Sequence, residues 1–462
     1  MSHLIERKSI TLGDMSRWRL ALLATALLCL ASAAALAGEN EGNTFYGAGA
    51  FANNETGSYN TAIGVGTLEA NEKGGDNTAV GYISLYNNNG YANTSVGSHA
   101  LQNNISGGSN TATGASALFF SNGDRNTATG ADALFNNGNG NANTATGAAA
   151  LASNDGGVDN TATGAEALYG NTTGNYNTAD GQRALFSNTE GQINTASGAR
   201  ALFSNTKGNN NAAHGAQALI FNKVGNNNTA NGTSAMRQNT NGNRNTAVGA
   251  EALANNTSGD GNVAIGAQAG SGLTNGNNNV DIAATGAAGE SNTIRIGKAG
   301  TQTRAFIQGI YGAPVADGVR VMVNANGKLG TMPSSARFKE QIKPMADSSE
   351  AILGLKPVSF RYKEEFDADK IPQFGLVAEE VEKVNPDLVA RDEDGKVNTV
   401  RYEMVNAMLL NEFLKEHKKN TEQQKAIDSL AALVKQEAAQ LEKVSARLDI
   451  TRSAPQVTAD QE

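Results

Sequence analysis

The string Asn-Thr-Ala-x-Gly begins at Asn60, Asn77, Asn110, Asn126, Asn143, Asn160, Asn177, Asn194, Asn228 and Asn245. Looser copies start at Asn43, Asn93, Asn211 and Asn262. The steps are seventeen residues, two of them shortened to sixteen. Eight positions after the Asn stands an apolar residue in twelve successive units, running from Leu68 to Leu253 with Met236 among them, and a Gly-rich or Asn-rich turn closes each unit. A fixed period of this kind means stacked repeats, and it constrains the fold more than any other feature of the chain.

The repeated pieces are too short for helices, and a glycine in every unit would cost about 1 kcal/mol at each helix site. Two short strands joined by Gly/Asn turns fit instead, making each unit one coil of a β-solenoid. A coil alone buries little: one Ala on the first strand, then Ala and Leu on the second. Stacking turns these into continuous columns, with backbone hydrogen bonds running from coil to coil and Asn columns pairing their amides. Fourteen coils over residues 43–270 at about 4.8 Å each predict a rod roughly 65 Å long.

Composition sharpens this reading. There are 53 glycines but only seven prolines, all from Pro314 onward, so a collagen-like chain is excluded. Charged residues are 17% and the net charge is −8, which offers no basic surplus for nucleic acid. Trp18 and Cys29, each the single residue of its type, lie in the first thirty positions. There, residues 20–37 form an apolar run preceded by Arg17 and Arg19 and ending in Ala35-Leu36-Ala37. This is the pattern of a signal peptide, 1–37, cleaved before Gly38, with translation starting at Met1 or Met15. An uncleaved anchor is the rival reading. Either way the chain is exported through the Sec pathway, to be secreted or displayed at the cell surface. Once cleaved, it keeps no membrane segment, no disulfide and no cysteine chemistry.

The residue before the repeat glycine is apolar at both ends of the array: Ile63, Val80 and Val96, then Val248 and Ile265. Between them it is Thr113, Thr129, Thr146 and Thr163, followed by Asp180, Ser197, His214 and Asn231. Alternation along a strand puts this position opposite the Ala column. Two readings follow: a solvent-facing position free to vary, or a contact face around a trimer axis with dry ends and a hydrated centre.

The repeats resemble the head repeats of trimeric autotransporter adhesins, whose Asn-Ser-x-Ala-x-Gly units build a left-handed parallel β-roll trimer. The resemblance covers about 43–270 and implies a homotrimer that adheres to a cell-surface glycan or matrix ligand. The unit here is longer than the usual one.

After a β-rich neck at 271–333 the chain changes character. It reads SSARFKEQIKPM from Ser334, then ILGLKPVSFRYKEE, FGLVAEEVEKVNPDLV and VRYEMVNAMLLNEFLKEHKK. These four segments, in order over 334–420, resemble the intramolecular chaperone of phage endosialidases and tail fibres, the S74 self-cleaving domain. That resemblance implies a catalytic Ser334 and Lys339, cleavage of the Pro333–Ser334 bond, and Arg337 at the family's basic position. Ser335 stands where the family often has Asp, so a cut shifted to Ser335 stays open. Such chemistry needs a serine hydroxyl beside a lysine held neutral by burial or a nearby cation.

Beyond it, Ile427, Leu430, Val434, Leu441, Val444 and Leu448 fall at heptad a and d positions, broken by Glu437, and predict a coiled coil over 421–450. The ending, Val457–Glu462, has no amphipathic strands and no terminal aromatic, so the membrane barrel of true trimeric autotransporters is not expected.

The expected class is mainly β: a left-handed parallel β-roll solenoid, trimeric, with an α+β self-cleaving chaperone domain and a C-terminal coiled coil. The expected function is an exported adhesin-like fibre whose chaperone directs trimerisation and is released before Ser334. The alternatives are a structural spike without its own ligand, or a chaperone that stays attached. No cofactor or metal is expected, because His99 and His214 lack metal-ligand spacing. No external substrate is expected, because the repeats hold no inserted domain and no repeated carboxylate pair.

Overall fold

Each repeat contributes one three-residue strand, such as Thr144–Thr146 or Thr161–Thr163, with its central alanine buried and its two flanking residues exposed. The computed structural model describes residues 42–310, 314–324, 326–392 and 394–452. The expected signal peptide, with Trp18 and Cys29, and the Val457–Glu462 ending lie outside the described residues. The chain forms two compact units, the first ending at Phe306 and the second starting at Ile307.

In the first unit sixteen strands, from Thr44–Tyr46 to Ile294–Ile296, form one parallel sheet in strict chain order. Thr161 pairs with Thr178, Ala162 with Ala179 and Thr163 with Asp180, and the same register holds between the other neighbours. The ladder therefore continues two strands past residue 270, through Val280–Ile282 and Ile294–Ile296. Residues 305–307, inside the expected β-rich neck, form no strand.

The columns expected from the repeat are present. Ala162, Ala167 and Leu168 and their equivalents above and below are fully buried and form one continuous core. Where serine replaces alanine, at Ser95, its hydroxyl meets that of Ser84 at 2.6 Å, so the two polar substitutions satisfy each other inside the core.

The Ala-Leu segment is not a strand, which corrects the two-strand expectation. Each column leucine takes a left-handed backbone, with φ between 49 and 53°. That conformation costs an L-residue about 1 kcal/mol, whereas full burial of a leucine side chain is worth roughly 1.5–3 kcal/mol. Burial wins, and the backbone ladder survives because each leucine amide still reaches the next coil, as from Leu185 to the Ala201 carbonyl at 2.9 Å. A second sheet exists over only four coils and lies past the leucine, at Asn87–Asn88, Asn103–Asn104, Phe120–Ser121 and Asn136–Gly138.

Two buried asparagine columns close the coil. The Asn177 amide nitrogen donates to Asn160 Oδ1 at 3.2 Å and to the Gly191 carbonyl at 2.8 Å. In the second column Asn188 donates to Asn171 Oδ1 at 2.8 Å and to the same Gly191 carbonyl at 3.0 Å. Both lone pairs of one turn carbonyl are thereby used, as a dry interior demands. At Gly181, φ is +133° and a Cβ would stand 2.7 Å from the Gly198 carbonyl carbon, so this corner of the coil accepts only glycine.

The second unit pairs short antiparallel hairpins, Met322–Val323 with Leu329–Gly330, Val358–Phe360 with Gln373–Gly375, and Val389–Arg391 with Val397–Val400. It adds a short helix, Ala378–Val384, and one continuous helix, Tyr402–Arg452. Its core is small: Val381, Leu388, Val389, Val400 and Met408. Ile427, Leu430, Val434, Leu441, Val444 and Leu448 all lie exposed on the long helix.

Candidate functional site

The region of interest begins where a short 3-10 turn, Ala336–Phe338, interrupts extended chain. Ser335 before it and Lys339 after it are both extended, with ψ 141° at each. The turn is closed by Phe338 N–H donating to the Ser335 carbonyl at 3.1 Å and Lys339 N–H to the Ala336 carbonyl at 3.0 Å. One such turn shortens the path between residues five apart enough for the side chains at its ends to meet. Lys339 Nζ donates to Ser334 Oγ at 3.2 Å.

The two residues that the resemblance pairs are thus in hydrogen-bond contact, and both are exposed in the single chain. Arg337 is not part of this contact. Its guanidinium lies over the Phe338 ring, 4.6 Å from the centroid. The residues just upstream, Met332 and Pro333, line an open groove together with Leu329, Arg391, Asp392 and Arg401. Within this unit the segment carrying the Pro333 carbonyl therefore runs beside charged side chains.

Sequence reasoning did not anticipate a cluster that anchors the long helix. Ser349 is fully buried on the 3-10 segment Ala346–Gly354. Its hydroxyl donates to the Glu412 carboxylate and accepts from Asn411 Nδ2 at 2.6 Å. Lys415 then meets Glu412 at 2.8 Å, Glu350 at 3.3 Å and Asp347 at 3.6 Å. The Lys415 and Ser349 hydrogen bonds hold the Glu412 carboxyl below the usual carboxylate range, and Glu412 raises Lys415 in turn. The only trace of this cluster in the sequence is Asn411 and Glu412 inside an otherwise apolar helix face.

On the solenoid, His214 is exposed on its strand, and His99 Nδ1 shares a hydrogen bond with Gln102 Oε1 at 2.7 Å against the edge of Tyr82. Tyr169, Phe186 and Phe203 stack along three coils with centroids 5.2 and 5.1 Å apart. Phe186, the middle ring, has both faces covered by its neighbours. Among the described residues no group of three His, Cys, Asp or Glu is close enough to hold a metal ion. Among them, too, no helix is long and apolar enough to cross a membrane.

Residues 334–390 match the peptidase S74 family, described as the chaperone of endosialidase. The match begins at Ser334, the residue that Lys339 contacts. No curated protein and no solved structure matches the chain.

Proposed function

We propose that the chain is an exported trimeric fibre, and that its C-terminal module aligns three copies and is then released by self-cleavage before Ser334. The observation that carries this reading is the Ser334–Lys339 hydrogen bond at the first residue of the chaperone match. Ser334 Oγ attacks the Pro333 carbonyl carbon while Lys339 accepts the hydroxyl proton. The Ser334 nitrogen is protonated as the C–N bond breaks, leaving an ester between the two residues. Water hydrolyses that ester to a Pro333 carboxylate and a Ser334 hydroxyl beside a free amine. A lysine acts as base only when neutral, which burial favours, and assembly would supply the burial that the single chain lacks.

Two exposed surfaces support assembly. The heptad residues Ile427 to Leu448 have no cover on the long helix. The outer face of the sixteen-stranded sheet is almost free of charge and exposes Ile63, Val96, Val248 and Ile265 near its ends. That face is about 10 Å wide and about 70 Å long, or about 700 Å² on each copy, close to the roughly 800 Å² per partner of a stable interface. Its polar centre, Thr113 to Asn231, would then lie hydrated around the axis.

Register is the reason for such a module. Near-identical coils allow neighbours to associate one step out of line with almost every contact intact. A C-terminal trimer sets the alignment before the strands zip, and cleavage leaves the solenoid kinetically trapped. The freed fibre binds a surface glycan or matrix ligand, or serves as a spacer. The test is the intact mass and sedimentation of the secreted protein beside Ser334→Ala. Cleaved trimers from the first and uncut trimers from the second are expected. A fully cleaved Ser334→Ala chain would exclude Ser334 as nucleophile.

A further inference from the structure

The alanine column of the solenoid ends on an acid. Asp281 pairs with Ala264 on the strand before it and with Arg295 on the strand after it, and it is 1% exposed. Its Oδ2 has no hydrogen-bond partner. The space it occupies is made by glycines: a Cβ at Gly286 would stand 2.7 Å from this oxygen and one at Gly270 3.4 Å from it. The charged groups that face it are Glu290 and Arg295, which bond to each other at 2.7 and 2.8 Å across the end of the coil. Arg295 is thus already neutralised, and the buried carboxylate lacks a counter-charge of its own. Among the described residues of this unit no other acid is buried.

A solenoid needs a polar terminal repeat to close its open end, and here the closure includes an ionisable group in the dry column. We propose that the last two turns, Val280–Ile282 and Ile294–Ile296, form an acid-closed cap that is tight when Asp281 is protonated and loosens when it ionises. Burial first, then the nearby Glu290, raises the Asp281 carboxyl from 3.8 to about 6, against the opposing pull of Arg295. A group raised in the folded state stabilises fully below its unfolded value and loses that contribution as pH rises through the folded one. The cap is therefore firm near pH 4 and weakened above about pH 6, while the interior coils, whose column carries Ala, are indifferent.

The test is hydrogen exchange on the secreted protein from about pH 4.5 to pH 7.5, with intrinsic exchange removed. The amides of Val280 and Gly297, bonded to the Thr293 and Ile282 carbonyls at 2.9 and 2.8 Å, report the cap. Thr178, bonded to the Asn194 carbonyl at 2.8 Å, reports the interior. Opening at Val280 and Gly297 is expected to rise at least about tenfold across this range, within the roughly hundredfold that a two-unit shift permits, and Thr178 is expected not to change. Asp281→Asn removes the dependence, and Asp281→Ala, the residue carried by most of the other coils, removes it and also lowers opening at neutral pH. The same pH slope in either variant, or no slope in the native chain, overturns the proposal. Cleavage at Ser334 is untouched in both variants, so the outcome is separate from that of the assembly reading.

Discussion

Lys339 Nζ donates to Ser334 Oγ over 3.2 Å, across a single 3-10 turn. If the amine acts as base, charge and reach alone will not replace it. Lys339→Arg keeps both but cannot give up its proton under these conditions. It is expected to yield uncut, folded trimers on a denaturing gel and by sedimentation, whereas Ser335→Ala is cut at the native rate. Cleavage that survives Lys339→Arg would assign the lysine a structural part only.

The asparagine columns carry the stability of the solenoid together with the leucines. Asn177→Ala strands the Asn194 backbone N–H, which now donates to Asn177 Oδ1 at 3.0 Å inside a dry column, whereas Asn160 Oδ1 keeps the bond it accepts from the backbone N–H of residue 177. An expected loss of about 2 kcal/mol in local opening follows from leaving one buried donor without a partner. Asn209→Ala, in an outer column whose Oδ1 accepts from Gln192 N–H at 2.8 Å, should cost less than about 1 kcal/mol because water replaces it. Hydrogen exchange at the neighbouring coils distinguishes the two.

Gly181→Ala is expected to break the ladder locally. The added Cβ meets backbone, the Gly198 carbonyl carbon at 2.7 Å, and no side chain can move aside. A cost above about 3 kcal/mol should appear as protease sensitivity between the coils on either side.

The uncovered heptad face makes a prediction for assembly. Leu430→Asp places a charge at a core position of the proposed coiled coil and is expected to abolish both trimers and cleavage. Lys435→Glu, one residue past the Val434 core position, changes charge on the outer face and leaves both intact. Normal trimers with Leu430→Asp would remove the helix from the assembly mechanism.

The anchor of the long helix should be acid-sensitive. The Glu412 carboxyl is held below its ordinary value of 4.5 by Lys415 and Ser349. Its contribution is present above that value and is lost as pH falls through the lower folded one. Thermal unfolding of the C-terminal unit is therefore expected to fall off below about pH 4.5, and Ser349→Ala should make that decline shallower.

Much of the solenoid was legible because a repeat writes its core in one dimension. The positions of Ala162, Ala167, Leu168 and Asn160 follow from period alone, since stacking identical coils forces identical residues into columns. The leucine backbone was not legible. The shortness of the repeated pieces and the turns between them predicted a second strand, and nothing in Ala-Leu announces a left-handed residue, because leucine on its own disfavours that conformation. Leu168 adopts it since a coil of seventeen residues must turn back on itself while keeping its largest side chain inside. The Ser334–Lys339 pair was readable only through a resemblance, as a spacing of five is common and means little without the turn that joins its ends.

By itself the sequence determined that the middle of this protein stacks in parallel, which residues form its columns, and where a second kind of module begins. Those properties depend on period and composition, and both are local. Only the tertiary structure decided that the parallel ladder runs on to Ile296, that an aspartate ends the alanine column without a partner, and that Ser349 ties Glu412 and Asn411 to a distant turn. Each of these depends on what stands opposite a side chain at least fourteen residues away along the chain. No periodicity encodes that, because the end of a repeat is the place where its own rule stops applying.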